Sequence, residues 1–451
     1  MKKYNYIIIL MSLLTIFFVG CDDNLDIKPE QAISKEVAIS TPENIHKILI
    51  NAYGVARSSS SYGGGIALAS ELLANDGDLY WNGTYIQPGE YNEKAILTDN
   101  SFVASIWLNG YGISNHVNIV LDNLAVITDV TDKDVTEGEA KFLRGLVYFD
   151  LARLFAKPYV SGSVNSQLGV PIVLRGVLDP SQIEFPKRNT LEEVYTQVIA
   201  DLKDAYTLLP ASNDIFATKY SAAALLARVY LQKGDYANAR NMADIVINES
   251  PATLTTTFAQ AFNNLENSNE DLFAWQITSQ DASSNDFNVF WAGSAFGGRV
   301  GNPDVEILSQ HWDIYDDPND KRADFFYKAK WWCTTKWKSQ FANIPMLRLA
   351  EMYLTRAESN FRLGTVTGLS PVNDVNILRQ RSGAALFITV DLATILMERK
   401  RELSFEGFAL FDAKRLKQNI GSLPYDANNL ILPIPRREID VNKNLTQNDG
   451  Y

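Results

Sequence analysis

Cysteine and histidine are scarce in this chain, whose 451 residues include two cysteines and three histidines. Two cysteines are too few for a disulfide framework or a cysteine-based zinc site. The histidines, His46, His116 and His311, lie far apart in the sequence. A metal enzyme that relies on histidine ligands is therefore disfavoured, and we expect no metal site built on these residues.

Basic residues are in the minority, with 41 lysines and arginines against 53 acidic residues and a formal net charge of −12. Because neutralisation of phosphates drives nucleic-acid binding, an acidic chain without a basic tract is a poor candidate for that role. Hydrophobic residues make up 46% of the chain and charged residues 21%, which is typical of a folded globular protein. The length suits one large domain or about three ordinary ones.

Long apolar runs are limited to the N-terminus, where residues 1–20 have the features of an export signal. Lys2 and Lys3 supply a positive start, and residues 7–19 form an apolar stretch. A transmembrane helix needs about 20 apolar residues, and this stretch is shorter. We therefore predict that residues 1–20 are a signal peptide that is removed.

The predicted signal ends at a small residue directly before a cysteine, Gly20 followed by Cys21. This arrangement is typical of bacterial lipoproteins, in which the cysteine is acylated and becomes the first residue of the mature chain. We predict lipidation at Cys21 and an acylated tether with an N-terminal segment over 21–45. Such a protein is anchored to a membrane by lipid rather than by a transmembrane helix. An ordinary secretory signal with an incidental cysteine is the alternative.

Three parts of the mature chain have the apolar spacing of packed helices: 139–155, 190–248 and 347–383. Thr190 and Glu193 form a capping box at one helix start. Residues 219–248 predict a helix, a tight turn at Gly234 and a second helix, with small and aromatic residues placed as in a tetratricopeptide hairpin. Generic amphipathic hairpins are the alternative. We predict one mostly α-helical domain over 46–451.

Two segments between these helices show no helical period, 58–90 and 277–345. The first is rich in serine, glycine, asparagine and tyrosine, and the second in asparagine, aspartate, glycine and tryptophan. Long irregular segments in a compact protein are usually functional or disordered, and the aromatic content argues against disorder. We therefore expect these two segments to form the ligand-binding part of the molecule.

An ordered set of motifs runs through the C-terminal half, at 348–358, 362–364, 373–383, 398–407, 411–415, 432–439 and 444–451. This set resembles the SusD/RagB family of Bacteroidetes outer-membrane lipoproteins, and residues 21–26 with Pro29 are similar to the start of that family's mature chains. The resemblance covers essentially the whole chain.

The resemblance implies a SusD-like fold that is mostly α, with tetratricopeptide-type helical hairpins, long irregular loops and minor β structure. It also implies a location on the outer surface of the outer membrane, as a lid over a SusC-like TonB-dependent transporter. Family members capture a nutrient, usually an oligosaccharide and sometimes a peptide, and pass it to the transporter. Neither catalysis nor a cofactor is expected.

The charged motif at 398–407 has a structural interpretation and a chemical one. One predicted helix carries charged residues with spacings that permit i,i+3 and i,i+4 ion pairs, namely Glu398, Arg399, Arg401, Glu402 and Glu406. We expect structural salt bridges there. A carboxylate pair could instead serve glycoside hydrolysis, but 53 acidic residues supply many accidental pairs.

Exposed aromatic rings can stack on the apolar face of a sugar, while asparagine, aspartate and arginine bond its hydroxyls. The best candidates are rings in the two irregular segments, next to turn residues. The predicted ligand contacts are Tyr80, Trp81, Tyr85, Asn288, Phe290 and Trp291. The alternative is that these rings are buried and anchor their loops to the core.

Other aromatic residues are expected to have structural roles. Trp107 lies in an apolar stretch that predicts a packed helix. Trp331, Trp332 and Trp337 alternate with polar residues, which suggests a strand with one covered face. Cys333 lies in the same stretch with no histidine nearby in sequence, so we expect a buried thiol.

A cluster of acidic residues at 316–320 could supply oxygen ligands to calcium, although a proline-containing turn before a helix explains it as well. The main hypothesis is a surface lipoprotein that captures an extracellular glycan and delivers it to a transporter. A peptide-binding member of the same family, a surface glycan hydrolase and a scaffold that binds only proteins are the alternatives. Because the chain is acidic, neutral glycans or peptides are the expected cargo.

Overall fold

The computed structural model describes residues 35–280, 285–299, 301 and 303–451. The predicted lipidation site, Cys21, lies outside the described residues. Helices dominate and sheets are small, which confirms the predicted mostly α class. No helix within the described ranges has the length and apolar character needed to cross a membrane.

The described part of the chain forms 16 α-helices. They are α1 (Lys35–Ala38), α2 (Pro42–Ala56), α3 (Gly65–Ala74), α4 (Ile86–Glu93), α5 (Ser101–Asp122), α6 (Val130–Phe155), α7 (Leu191–Leu208), α8 (Lys219–Lys233), α9 (Tyr236–Glu249), α10 (Asp286–Trp291), α11 (Ser309–Trp312), α12 (Leu349–Leu363), α13 (Pro371–Ser382), α14 (Leu392–Leu403), α15 (Ala409–Arg415) and α16 (Arg436–Val441). The short strands are β1 (Leu79–Trp81), β2 (Asp271–Trp275), β3 (Val305–Ile307), β4 (Phe326–Lys328), β5 (Trp332–Thr334) and β6 (Ile344–Arg348).

The longer helices pack side by side in one continuous stack, in the order α2, α5, α6, α7, α8, α9, α12 and α13. Helices α9 and α12 are neighbours although about a hundred residues separate them in the sequence. Long insertions therefore leave the stack without passing through it. Hairpins that are dispersed in the sequence form a single scaffold in space.

The predicted hairpin at 219–248 is present as α8 and α9. Thr218 caps α8 by accepting a hydrogen bond from the backbone N–H of Ser221 at 3.1 Å. Gly234 ends this helix with a φ of 76°, a backbone conformation that residues other than glycine rarely adopt. The small residues of α8 are buried, which lets the neighbouring helices approach closely.

The unit predicted near 139–155 is part of one helix of 26 residues, α6, which packs between α5 and α7. Arg144 on α6 bonds Asp201 of α7 at 2.7 Å and Asn118 of α5 at 2.9 Å. All three side chains are buried. A buried arginine with its hydrogen bonds satisfied thus joins three helices of the stack.

Helix α3 lies inside 58–90, where the sequence showed no helical period, so that expectation is wrong for residues Gly65–Ala74. Most of its side chains are buried, because it is enclosed on all sides rather than packed through one face. Such a helix is apolar all round and lacks the one-sided spacing on which the prediction relied. The segment 277–345 is mostly irregular, as expected, with short helices and strands within it.

The strands form three antiparallel pairs: β1 with β3, β2 with β6, and β4 with β5. We call the β1/β3 pair the first ribbon and the β4/β5 pair the second ribbon. Strand β5 packs beside β3, so the two ribbons are neighbours. The strand predicted near the three tryptophans is confirmed only for Trp332–Thr334, because residues Thr335–Trp337 form a turn of 3₁₀-helix.

A buried network of arginines and carboxylates connects the irregular segment to the helical stack. Arg348, at the end of β6, lies 3.1 Å from Glu402 of α14 and 2.8 Å from Glu406. Glu406 follows the end of α14, so its predicted place on that helix is wrong. Arg322 bonds Asp320 at 2.7 Å and also contacts Glu402. The expected salt bridges are therefore present, but most partners come from distant segments rather than from the same helix.

Candidate functional site

The outer face of the first ribbon combines an exposed ring with polar side chains. Tyr80 is 51% exposed, and it stands opposite Glu306 in the register of the ribbon. Side chains alternate between the two faces of a strand, so Asn82 lies on the same face as Tyr80. Its amide donates to Glu306 at 2.7 Å. An accessible ring beside a fixed amide and carboxylate is the kind of surface that binds a saccharide.

Tyr85 follows the first ribbon and is the other predicted ring that remains exposed, at 46%. The guanidinium carbon of Arg299 lies 4.1 Å from the centre of this ring. Arg299 also donates to Thr84 at 2.9 Å and bonds Asp304 at 2.8 Å. Burial raises the pKa of Asp304, although Arg299 counteracts the effect. Sequence reasoning missed Arg299 because it lies more than 200 residues from Tyr85.

Trp81 lies on the inner face of the first ribbon and is buried from solvent. Its indole N–H donates to the carbonyl of Tyr85 at 3.0 Å, and its ring centre lies 5.7 Å from that of Phe290. A Cβ atom at Gly83 would come within 2.2 Å of the indole, so only glycine permits this loop path. The expectation of an exposed ring is wrong here, and Trp81 anchors the loop that presents Tyr85.

The predicted contacts in α10 are also buried. Trp291 is 1% exposed and its ring centre lies 5.3 Å from that of Phe405. Phe290 packs among the rings of the first ribbon, and the Asn288 amide donates to the carbonyls of Phe296 and Trp337. The loop-anchor alternative accounts for all three of these residues, because they hold backbone segments that have no regular structure of their own.

The second ribbon and its surroundings add exposed rings, of which the sequence analysis placed Trp332 among structural residues. Trp332 is 39% exposed, and its ring centre lies 5.3 Å from that of Trp312. Phe296 is exposed as well, with its ring 5.3 Å from that of Tyr327. The alternation of side chains along β5 could have identified Trp332 as exposed, because Cys333 is buried as predicted and its neighbour must then point outward. Trp107 is buried in α5, also as predicted.

The acidic cluster at 316–320 is engaged by positive groups and backbone donors. Asp316 lies 2.9 Å from Arg401, Asp320 bonds Arg322, and Asp317 accepts from a backbone N–H. Among the described residues, no group of three or more His, Cys, Asp and Glu side chains is arranged to hold a metal ion. The stretch forms turns, as one interpretation expected, but the element that follows is strand β4 rather than a helix.

A cavity of about 580 Å³ lies between α14, α15 and the segment before β1. Its titratable lining includes Glu71, Asp78, His311 and Lys400. Burial raises the pKa of Glu71 to about 7 and lowers that of His311. Burial alone would raise the pKa of Asp78, but its contacts with His311 and Lys400 lower it to about 2. Of the two phenylalanines in the lining, Phe405 is buried and Phe408 is only partly exposed, so the ribbons fit a saccharide better.

Comparison with known families covers nearly the whole chain. Residues 23–231 match the profile of a family described as starch-binding and associating with the outer membrane. Residues 230–451 match the profile of the SusD family. The chain is 27% identical to SusD-like protein P2 of Formosa agariphila over the full length of both proteins. It is 36% identical to starch-binding protein SusD of Bacteroides thetaiotaomicron over 126 residues, which are 24% of this chain and 22% of that protein.

Solved structures show the same fold. A protein from Bacteroides vulgatus that was proposed to bind sugar is 28% identical, with a TM-score of 0.81 over 92% of this chain and 99% of that one. A SusD superfamily protein from Bacteroides thetaiotaomicron is 23% identical, with a TM-score of 0.79 over 90% of this chain and 99% of that one. The fold of these structures and the two family profiles lead to the same assignment. The chain belongs to the SusD/RagB family.

Proposed function

We propose that this protein is a cell-surface lipoprotein that captures an extracellular oligosaccharide and delivers it to a SusC-like TonB-dependent transporter. The observation that carries the proposal is the outer face of the first ribbon, where the exposed ring of Tyr80 lies beside Asn82 and Glu306. A ring supplies stacking, and the fixed amide and carboxylate can bond sugar hydroxyls. Relatives described as binding starch or sugar support the same function.

The location and the partner extend this proposal. Acylation at Cys21 would hold the protein on the outer membrane, and the predicted tether over 21–45 would separate the folded domain from the lipid surface. The family description, starch-binding and associating with the outer membrane, supports this arrangement. We propose a binding role without catalysis, because the buried carboxylates of the network are held by arginines rather than presented in a cleft.

Calorimetric titration of the mature chain, starting after Cys21, tests the proposal. The ligands are neutral and acidic oligosaccharides of plant, host and microbial origin, together with peptide mixtures. We expect saturable binding of an oligosaccharide without its conversion to product. Tyr80→Ala should weaken that binding by about 0.5–1.5 kcal/mol, the range found for one aromatic contact beyond burial.

The matched control is Phe185→Ala, which removes an exposed ring far from the ribbons in the sequence. The control should bind like the wild type, and both variants should unfold like it. If only peptides bind, the cargo is a peptide rather than a glycan. Steady release of products would favour the hydrolase alternative, and equal affinity in Tyr80→Ala and the wild type would remove Tyr80 from the site.

A further inference from the structure

Positive charge is concentrated at the second ribbon of this acidic protein. Residues 326–341 contain four lysines and no acidic residue, whereas the whole chain has a net charge of −12. Lys336 is buried and bonds Glu406 at 2.6 Å. The other three, Lys328, Lys330 and Lys338, have no ion pair within the described residues and keep at least part of their surface exposed. Their charges are therefore not neutralised by neighbouring carboxylates.

Each of these lysines lies against an aromatic ring. The Lys338 ammonium is 4.0 Å from the centre of the Phe296 ring. Lys330 lies 5.0 Å from the Trp331 ring, and Lys328 lies 5.9 Å from the exposed Trp332 ring. Lys328 pairs with Trp332 in the register of the second ribbon, so both lie on one face of it, and Lys330 lies in the turn between the two strands. Tyr327, against which Phe296 and Lys338 pack, lies on the opposite face. We call the surface formed by Lys328, Lys330 and Trp332 the lysine–aromatic patch.

The base of the second ribbon is fixed, although the patch itself is exposed. Lys336 donates to the carbonyls of Glu402 and Ser404 at 2.8 and 2.9 Å. The Trp337 indole donates to the carbonyl of Phe405 at 3.0 Å. The hairpin is thus attached to the end of α14 and to the loop after it. A surface that is already ordered loses little conformational entropy when a ligand binds.

The negative charge of the rest of the protein has little effect at this position. Free charges in physiological salt are screened beyond a Debye length of about 8 Å. The acidic residue just before the second ribbon in the sequence, Asp324, pairs with Lys321 at 3.2 Å. A ligand at the patch therefore meets the local lysines rather than the net charge of the chain.

We propose that the lysine–aromatic patch selects acidic glycans, whose carboxylate or sulfate groups bind the lysines while a sugar ring stacks on Trp332. This inference rests on the proposed function and names its ligand class. It reverses the expectation of a neutral cargo, which followed from the net charge. Trp332 supplies the ring contact, and Lys328 and Lys330 supply the discrimination between acidic and neutral sugars.

The test compares oligosaccharides of equal length by calorimetric titration of the mature chain. Tetragalacturonate carries carboxylates, a sulfated carrageenan tetrasaccharide carries sulfates, and maltotetraose is neutral. We expect at least one acidic tetrasaccharide to bind roughly tenfold more tightly than maltotetraose at physiological ionic strength, where the net charge of the chain is screened. That preference should shrink as salt is added, because the patch is exposed.

The variant that tests the patch replaces Lys328 and Lys330 together by glutamine. We expect it to lose most of the preference for the acidic ligand and to keep any affinity for maltotetraose. The matched control replaces two exposed lysines elsewhere, Lys187 and Lys203, by glutamine and changes the net charge equally. The control should retain the preference of the wild type.

Equal loss of preference in the patch variant and the control would overturn the proposal, since bulk charge would then explain the selectivity. Binding of maltotetraose without binding of either acidic ligand would also overturn it, while leaving the proposed glycan-binding function intact. If no oligosaccharide in the wider panel binds, the proposed function fails as well. The assignment is supported if the control keeps the preference of the wild type and the patch variant loses it.

Discussion

The helical stack and the two ribbons differ in what their charged side chains contact. In the network that joins β6 to α14, arginines and carboxylates are buried and bond one another, as Arg348 and Glu402 do. On the second ribbon, Lys328 and Lys338 remain at the surface and lie against aromatic rings. The network satisfies its charges internally, whereas the ribbon leaves its charges available to a ligand.

The same contrast separates the aromatic residues of the irregular segments. Trp291 and Phe290 fill the space between segments that have no regular structure of their own, whereas Tyr80 and Trp332 point outward from short strands. An irregular segment needs buried rings to hold its path, and a binding surface needs exposed ones. Residue type alone therefore does not distinguish an anchor from a ligand contact, and the following predictions test this distinction.

The largest effect is expected from Glu402→Ala in the buried network. This carboxylate is shared by Arg322, Arg348 and Arg381, and their charges hold its pKa well below the usual value although burial would raise it. Removing it leaves three buried arginines undercompensated. We expect a loss at the upper end of about 3–5 kcal/mol in the free energy of unfolding, measured by denaturant titration.

The control for this change is Glu43→Ala, which removes a carboxylate from an exposed pair with Lys47. It should leave the free energy of unfolding unchanged within error. A small effect of Glu402→Ala, similar to that of the control, would show that the network does not join the irregular segment to the stack.

The next effect concerns the buried rings. Trp291→Ala should lower the free energy of unfolding by about 4 kcal/mol, because it opens a cavity beside Phe405. Tyr80→Ala should change it by less than about 0.5 kcal/mol, since its ring is largely in water. Denaturant titrations of the two variants measure this difference. Equal destabilisation by both changes would contradict the separation into anchors and ligand contacts.

A somewhat smaller effect is expected from the buried carboxyl of Glu71, which pairs with no arginine among the described residues. Glu71 accepts a hydrogen bond from the backbone N–H of Gly407 at 2.8 Å, and burial raises its pKa from 4.5 to about 7. A raised pKa in the folded state favours the protonated carboxyl. Its contribution to stability is complete below about pH 4.5 and is lost as the pH rises through about 7.

Glu71→Gln tests this contribution because the amide keeps an acceptor for Gly407 and cannot ionise. We expect the variant to exceed the wild type by about 3 kcal/mol in unfolding free energy near pH 9 and to match it near pH 4. Denaturant titration at the two pH values measures the difference. A constant difference between the two proteins at both values would rule out ionisation of Glu71 as the cause.

The sequence was most informative where a local signal controls the structure. The capping box at Thr190 and the glycine at position 234 mark helix ends that the structure contains at the same places. Buried helix α3 escaped prediction because it has no polar face. Of the six predicted ligand contacts, only Tyr80 and Tyr85 are exposed, and the exposure of Trp332 was underrated. Exposure depends on what a distant segment covers.

The sequence by itself determined the family, the mostly helical class and the ends of several helices, because these depend on ordered motifs and on neighbouring residues. Tertiary structure alone decided which charges are neutralised and which rings remain accessible. Lys336 and Lys338 are two positions apart, yet one is buried against Glu406 and the other lies on the Phe296 ring. Such a difference arises from long-range packing, which brings a carboxylate to one lysine and leaves the other at the surface.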